Sequence, residues 1–185
     1  MKSRGLSETE IDQLIELLEG LDMDNINKRA FNAIAKRFVF TAIEVVAYRI
    51  SASGDPEVLL TPRPDEPGEP WPGQLHYPGT IVRIADMDPN LDEPIAGDGE
   101  VHILFRKSLR RLEEKEFNAK LHNLNLICHE YRLTNRGPTL SYVFLAEISG
   151  DKHEGKFYNL NSLPNKLHPN HHRFTAMIKQ YLGVE

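Results

Sequence analysis

Six of the chain's twelve prolines fall between residues 62 and 78. Such a stretch cannot lie inside a sheet, because a proline has no N–H to give to a ladder and its φ is fixed. It must be a loop with a fairly fixed course, and it divides two β-rich regions. Ahead of it, Val39–Ser51 and Glu57–Thr61 carry β-branched and aromatic residues on either side of Ser53-Gly54-Asp55-Pro56, which predicts a hairpin over 43–61. Beyond it, strand character resumes from Gln74 to Ile84 around Pro78-Gly79.

At 185 residues a chain buries about two thirds of its unfolded surface, so neither a metal nor a disulfide is needed to hold it together. Cys128 is its single cysteine, which excludes an intrachain disulfide and any cysteine-built zinc or iron–sulfur site. There are 22 Lys and Arg against 27 Asp and Glu, a net charge of −5. That argues against a nucleic-acid partner, while leaving room for a local basic pocket that takes a phosphorylated small molecule. Met1–Glu10 is polar, without the apolar core of a secretion signal, and no apolar run approaches the roughly 18 residues that span a bilayer. The expectation is a cytoplasmic protein with no membrane partner.

Two helices are predicted in residues 1–40, a helical extension ahead of a domain over 41–185. Ser7-Glu8-Thr9-Glu10 has capping-box form, followed by Ile11, Leu14, Ile15 and Leu18 on one face, with Gly20 near the stop. Phe31, Ile34, Ala35 and Phe38 repeat the spacing. Three uses stay open for these helices: covering the core, making a homodimer contact, or reaching over a substrate. Residues 85–100 hold six acids and no base, which reads first as a solvated loop and second as a lid or an accessory metal site.

A longer helix is predicted over Glu100–Phe117. Val101, Phe105, Leu109, Leu112 and Glu116 fall on one stripe, four apolar residues and then a carboxylate. An acid ending an apolar stripe either has reached solvent or needs a cation or a donor to offset its desolvation. Glu113, three residues back, is within reach of the same ion. Strands over Asn123–Leu133 and Thr139–Ile148 follow, then a polar loop over 149–155 and a last helix from Pro169 to Leu182. His168 and His172 are four residues apart, but the helix starts between them, which speaks against a zinc pair.

Four places in this chain resemble a Nudix domain over about residues 43–183: Val58–Arg63, Tyr77-Pro78-Gly79-Thr80, Arg111–Asn118, and Lys156–Leu160 with Leu163-Pro164. The resemblance implies an α+β fold, an α/β/α sandwich around a mixed sheet. It also implies hydrolysis of a diphosphate joined to another group, with glutamates on the helix holding Mg²⁺ or Mn²⁺. Chemically, a diphosphate repels nucleophiles, so divalent cations must screen it and orient water. The family's helix reads Arg-Glu-hydrophobic-x-Glu-Glu-x-Gly. With Arg111 on the arginine, Asn118 takes the closing glycine, where asparagine tolerates the left-handed conformation, and Glu116 takes the last glutamate. Leu112 and Lys115 then replace the other two. Starting instead at Arg110 keeps Glu114 but loses the turn residue.

The reduced pattern is similar to that of the GDP-mannose hydrolases. By that resemblance a single ion sits on Glu116 and a carbonyl at Gly79 or Thr80, with Glu113 nearby. Arg63 faces the diphosphate, Arg111 braces the loop beside the metal and the substrate, and His153 serves as general base. Lys152 stands where that branch supplies a further metal ligand. Trp71 either stacks on a base or sugar, or caps the proline-rich loop. The implied substrate is a nucleoside diphosphate derivative such as a nucleotide sugar. A catalytically inactive nucleotide-binding or regulatory protein is the alternative.

Overall fold

The computed structural model describes residues 5–21, 26–66, 69, 71–83, 86, 105–134, 137–150 and 155–184. Seven strands form one sheet: β1 (Phe40–Ile50), β2 (Pro56–Pro62), β3 (Leu75–His76), β4 (Gly79–Ile81), β5 (Lys120–Thr134), β6 (Gly137–Ser149) and β7 (Lys156–Asn159). Their order is β3-β2-β1-β6-β5, with β4 added to β1 and β7 to β2. β1 and β6 run parallel and the other pairs are antiparallel, so the sheet is mixed.

β1 organises this sheet because one of its edges is shared. Its first half pairs with β4, Ile43 facing Thr80, and its last residues pair with β2, Tyr48 facing Val58. The predicted hairpin is present. The proline-rich segment leaves the sheet at Arg63 and returns at Gln74, where the Arg63 N–H donates to the Gln74 carbonyl at 2.8 Å. No local pattern predicts β7; it is four residues long, and its order comes from pairing with β2, a long-range cause.

Period-two alternation builds two cores. Ile43, Val45, Ala47, Phe144, Ala146 and Ile148 face one side of the sheet, together with Leu109, Leu112 and Phe117 of the long helix. Val46, Val143 and Leu145 face the other, against Phe174 and Ile178. Those last two belong to the C-terminal helix (His172–Leu182), which one 3₁₀ turn, Pro169–His171, precedes. One helix on each face gives the α/β/α sandwich.

The N-terminal helices are α1 (Glu8–Glu19) and α2 (Lys28–Ala35). Ser7 and Glu10 make the predicted reciprocal cap. The stripe of Ile11, Leu14, Ile15 and Leu18 is nevertheless exposed, and α1 buries no residue. α2 ends at Ala35, so Phe38, expected on its apolar face, lies beyond the helix and in solvent.

The long helix is described from Arg106. α3 (Arg106–Leu112) runs into one π-helical turn, Glu113–Phe117, and α4 is the C-terminal helix. Phe105, Leu109 and Leu112 are buried as the stripe predicts, but the next buried residue is Phe117 and Glu116 is only half-buried. A π turn steps five residues where an α turn steps four, so Phe117 succeeds Leu112 and Glu116 moves off the stripe. Asn118 closes the turn in the expected left-handed conformation, φ 47° and ψ 39°. Val101 and the rest of 100–104 lie outside the described residues.

Gly137 opens β6 at φ +134°, and a Cβ there would lie 1.8 Å from the Ala35 carbonyl oxygen at the end of α2. Only glycine allows that approach. Gly54, at φ +89°, has nothing within 4 Å of its Cβ position. Gly137→Ala is therefore expected to cost more than about 1 kcal/mol beyond the cost of Gly54→Ala, read as the difference in urea-unfolding free energy. Equal costs would show that α2 does not pack there.

Candidate functional site

A cavity of about 640 Å³ opens between α2, β1 and β4. Phe31 and Ala35 of α2, with Phe40 and Ala42 of β1, make an apolar wall; Glu44, Arg63, His76 and His171 make a polar floor. Residues 79–83 form its rim.

The rim depends on a close approach. Gly79 faces Glu44 across the β1–β4 pair, and a Cβ on it would meet the Ile43 carbonyl oxygen at 2.8 Å. The Val45 N–H donates to Pro78 O and the Val82 N–H to Thr41 O, both at 2.9 Å. Ladder bonds therefore fall at 78, 80 and 82, and antiparallel alternation turns the Gly79 and Ile81 carbonyls away from β1. Arg111 Nη2 donates to the Ile81 carbonyl at 2.9 Å and to Thr80 Oγ1 at 3.1 Å, while Nη1 pairs with Asp86. Asp86 also accepts from Ser108 Oγ at 2.6 Å and from the Arg83 N–H at 2.9 Å. Burial would raise the Asp86 pKa, but the hydrogen bonds from Arg111 and Ser108 outweigh it and hold it below its ordinary value. This acid of the 85–100 stretch is thus buried and paired, contrary to the solvated-loop expectation. Asp88, Asp92, Glu93, Asp98 and Glu100 lie outside the described residues.

Glu113 Oε1 accepts the Leu121 N–H and Oε2 accepts Lys120 Nζ, each at 2.9 Å. Its carboxylate secures the start of β5. Glu114 and Lys115 are exposed. Among the described residues no three His, Cys, Asp or Glu side chains gather as a metal site. These donors do not fit a multi-metal carboxylate cluster. The donors expected for a single hard cation, the Gly79 carbonyl and Glu116, belong to β4 and to the π turn, and Glu116 is half-buried. Arg63 lines the cavity and donates from Nε to Glu69 at 2.7 Å. Trp71 packs edge-on against His168, ring centroids 4.3 Å apart, and does not line the cavity. His153 and Lys152 lie outside the described residues.

The floor holds a network that no sequence motif announced. Glu44 accepts from Arg132 Nη2 at 2.7 Å, and His171 Nε2 lies 3.1 Å from its other oxygen. His171 Nδ1 accepts the Tyr77 N–H at 3.0 Å, which assigns the ring proton to Nε2, facing Glu44. Arg132 continues to Glu130 at 2.7 Å, and Glu130 to Arg173 at 2.5 Å. Burial alone would raise the Glu44 pKa; the hydrogen bond from His171 and the charge of Arg132 pull it down to about 2. The available signal was an acid inside an otherwise apolar strand, Ile43-Glu44-Val45, which a buried strand tolerates only with partners.

No family model matches this sequence, and no curated protein does. Solved structures do. The NUDIX domain of Shewanella oneidensis NrtR, complexed with ADP ribose, superposes with a TM-score of 0.56 at 15% identity, covering 96% of this chain and 99% of that one. This chain has the Nudix fold. A MutT NUDIX hydrolase from Burkholderia pseudomallei matches at TM-score 0.53 and 21% identity, over 77% of this chain and 99% of that one. A C. elegans Ap4A hydrolase binary complex gives 0.53 at 18%, over 78% and 98%. Among the described residues of this Nudix fold, no helix is long and apolar enough to cross a membrane.

His76, beside the network, is held neutral: burial, reinforced by the charge of Arg63, lowers its pKa from 6.5 to about 3. Burial likewise lowers His168 to about 4. Below pH 6.5 the unfolded chain takes up protons that the folded chain refuses, so stability falls as pH drops from 6.5 toward these values. His76→Gln should flatten that decline between pH 6.5 and 4, measured as urea midpoints along a pH series. An unchanged slope would mean that His76 is not buried neutral.

Proposed function

We propose that this chain is a Nudix-type hydrolase of a nucleoside diphosphate linked to another group, with a nucleotide sugar as the substrate first in line. The ligand lies in the cavity bounded by α2, β1 and the Gly79 rim. The observation carrying this reading is Arg111, which joins α3 to Thr80, Ile81 and Asp86 and fixes the rim at the cavity's edge. That is the bracing role implied for the helix arginine, and it supports the register that places Glu116 and Asn118 at the helix end.

In this reading one Mg²⁺ or Mn²⁺ is held by Glu116 and the Gly79 carbonyl. Glu113 stands nearby with its carboxylate bonded to the Leu121 N–H and to Lys120 Nζ. The ion supplies charge screening and orientation of water at the diphosphate. Arg63, on the cavity floor, faces the phosphates. His153 takes the proton from water, general-base work of the kind an imidazole does. Trp71, on the proline-rich loop, reaches the ligand only from outside the cavity lining.

A second reading, nucleotide binding without turnover, draws on the engaged Glu113 and on Lys115 standing where a glutamate is usual. Turnover of nucleotide sugars, ADP-ribose, dinucleotides and nucleoside triphosphates with Mg²⁺ or Mn²⁺ separates the two. The hydrolase reading expects turnover that falls roughly a hundredfold or more in both Glu116→Gln and His153→Ala. Tight binding with no turnover of any of them would establish the second reading.

A further inference from the structure

α2 is too short to be stable by itself. A helix of eight residues is marginal in water, and Ala35 is the one residue that α2 buries. Three ties hold it over the sheet. Ala35 sits on Gly137 of β6, at a distance that no Cβ would allow. Lys28 reaches Glu66 of the proline-rich segment at 3.8 Å, a weak pair in the open. Phe31 packs on Phe40 of β1, with ring centroids 5.4 Å apart.

The rest of the helix's apolar face is not packed away. Phe31 and Ala35 are four residues apart and share a face. Ile26 and Phe31 occupy the two positions of a hydrophobic staple on either side of the Asn27 cap. Ile26, Phe31 and Phe40 line the cavity of about 640 Å³, and each is only half-buried. Neither phenylalanine belongs to either core. Aromatic and aliphatic surface is thus turned toward an open space of the size that encloses a small ligand.

The shape of this wall selects the group that lies on it. The two rings are tilted by 56° and already pack together, so nothing slips between them. They form a corner, in which a planar ring stacked on one meets the other at an angle, as aromatic groups prefer. Phe31, Ala35, Phe40 and Ala42 offer no side-chain donor or acceptor. Sugar hydroxyls laid there would lose water and gain no partner. A heteroaromatic ring loses water from its faces, while its donors and acceptors lie in the ring plane. Trp71, the other ring suited to stacking, does not line the cavity.

We infer that Phe31 and Phe40 form the base-binding corner of the cavity, with Phe31 the residue through which α2 selects the aromatic end of a nucleotide. That the ring belongs to a nucleotide rests on the proposed function; that the corner takes a flat ring rests on the wall itself. The bound base supplies the apolar contact that α2 lacks, so base and helix hold each other in place.

The test is calorimetric titration of the whole protein, in Mg²⁺, with ADP, GDP and inorganic pyrophosphate. Phe31→Leu keeps apolar bulk and removes the ring, so ADP and GDP should bind roughly tenfold more weakly, the range of one lost base–aromatic stack. Pyrophosphate has no ring and should be unaffected. Phe31→Tyr should restore most of the affinity. Phe31 lies outside both cores, so the urea midpoint of Phe31→Leu should stay near that of the unaltered protein. Hydrogen exchange of the α2 amides, which needs no variant, should slow with ADP bound and not with pyrophosphate. ADP and GDP binding indifferent to Phe31→Leu and Phe40→Leu overturns the corner, as does pyrophosphate weakened equally or no binding of either nucleotide. If turnover of nucleoside diphosphate derivatives is found beside that result, the hydrolase reading stands without the corner. Ring-dependent binding in a protein that turns over none of them upholds the corner and refutes the hydrolase.

Discussion

The Arg111 guanidinium holds together three pieces of chain that have little else in common. It leaves α3, takes the carbonyl of Ile81 and the hydroxyl of Thr80 on β4, and pairs with Asp86 in the connection between them. β4 is three residues long, and among the described residues β1 is its one strand partner, so its outer side has no described strand to fix it. A half-buried cation is tolerable when its donors are met, and here the fork geometry of arginine engages both Nη atoms. Asp86 is satisfied in the same arrangement, which removes the desolvation problem for both partners at once. The rim and the cavity edge take their shape from this side chain.

The π turn at the end of α3 sets what the remaining acids can do. It places Phe117 in the core in succession to Leu112. It leaves the Glu113 carboxylate beside the first residues of β5, where it accepts the Leu121 N–H. One helical irregularity thus assigns Phe117 to packing, Glu113 to anchoring a strand, and Glu116 to neither core nor open solvent. A regular α-helix would have sent Glu116 into the apolar stripe, a placement that needs a cation to be stable. The wider turn avoids that cost, and Asn118 closes it with a left-handed residue that only glycine and asparagine adopt readily.

Much of this fold was legible because its signals are local. Strand alternation, the 43–61 hairpin, the Ser7–Glu10 cap and the left-handed Asn118 each depend on residues within a few positions of one another. β7 was not legible, since four residues gain strand order only by pairing with β2. The end of α2 was misplaced for a related reason: Phe38 continues the periodicity, but the helix stops where Gly137 meets Ala35. A count of 100° per residue puts Glu116 on the stripe because it assumes one helix type throughout. At the candidate site, Glu44, His171, Arg132 and Tyr77 come from four distant segments and share no motif. Their association is a property of the sheet register and of the α4 entry, which spacing along the chain does not encode.

The chemistry of the cavity between α2, β1 and β4 says what kind of group it takes. In the cavity floor Glu44 is ionised but clamped by Arg132 and His171, and His76 is kept neutral by burial. The wall opposite is aromatic and aliphatic, with the Phe31 and Phe40 rings 5.4 Å apart. An anion entering there would meet a fixed carboxylate and a neutral His76, with Arg63 on the floor and Arg83 at the rim to attract it. A flat, uncharged group would meet apolar surface and neutral hydrogen-bonding partners, which suits it far better. The net charge of −5 is silent on this point, because recognition follows the potential inside a concavity and not the sum over the surface.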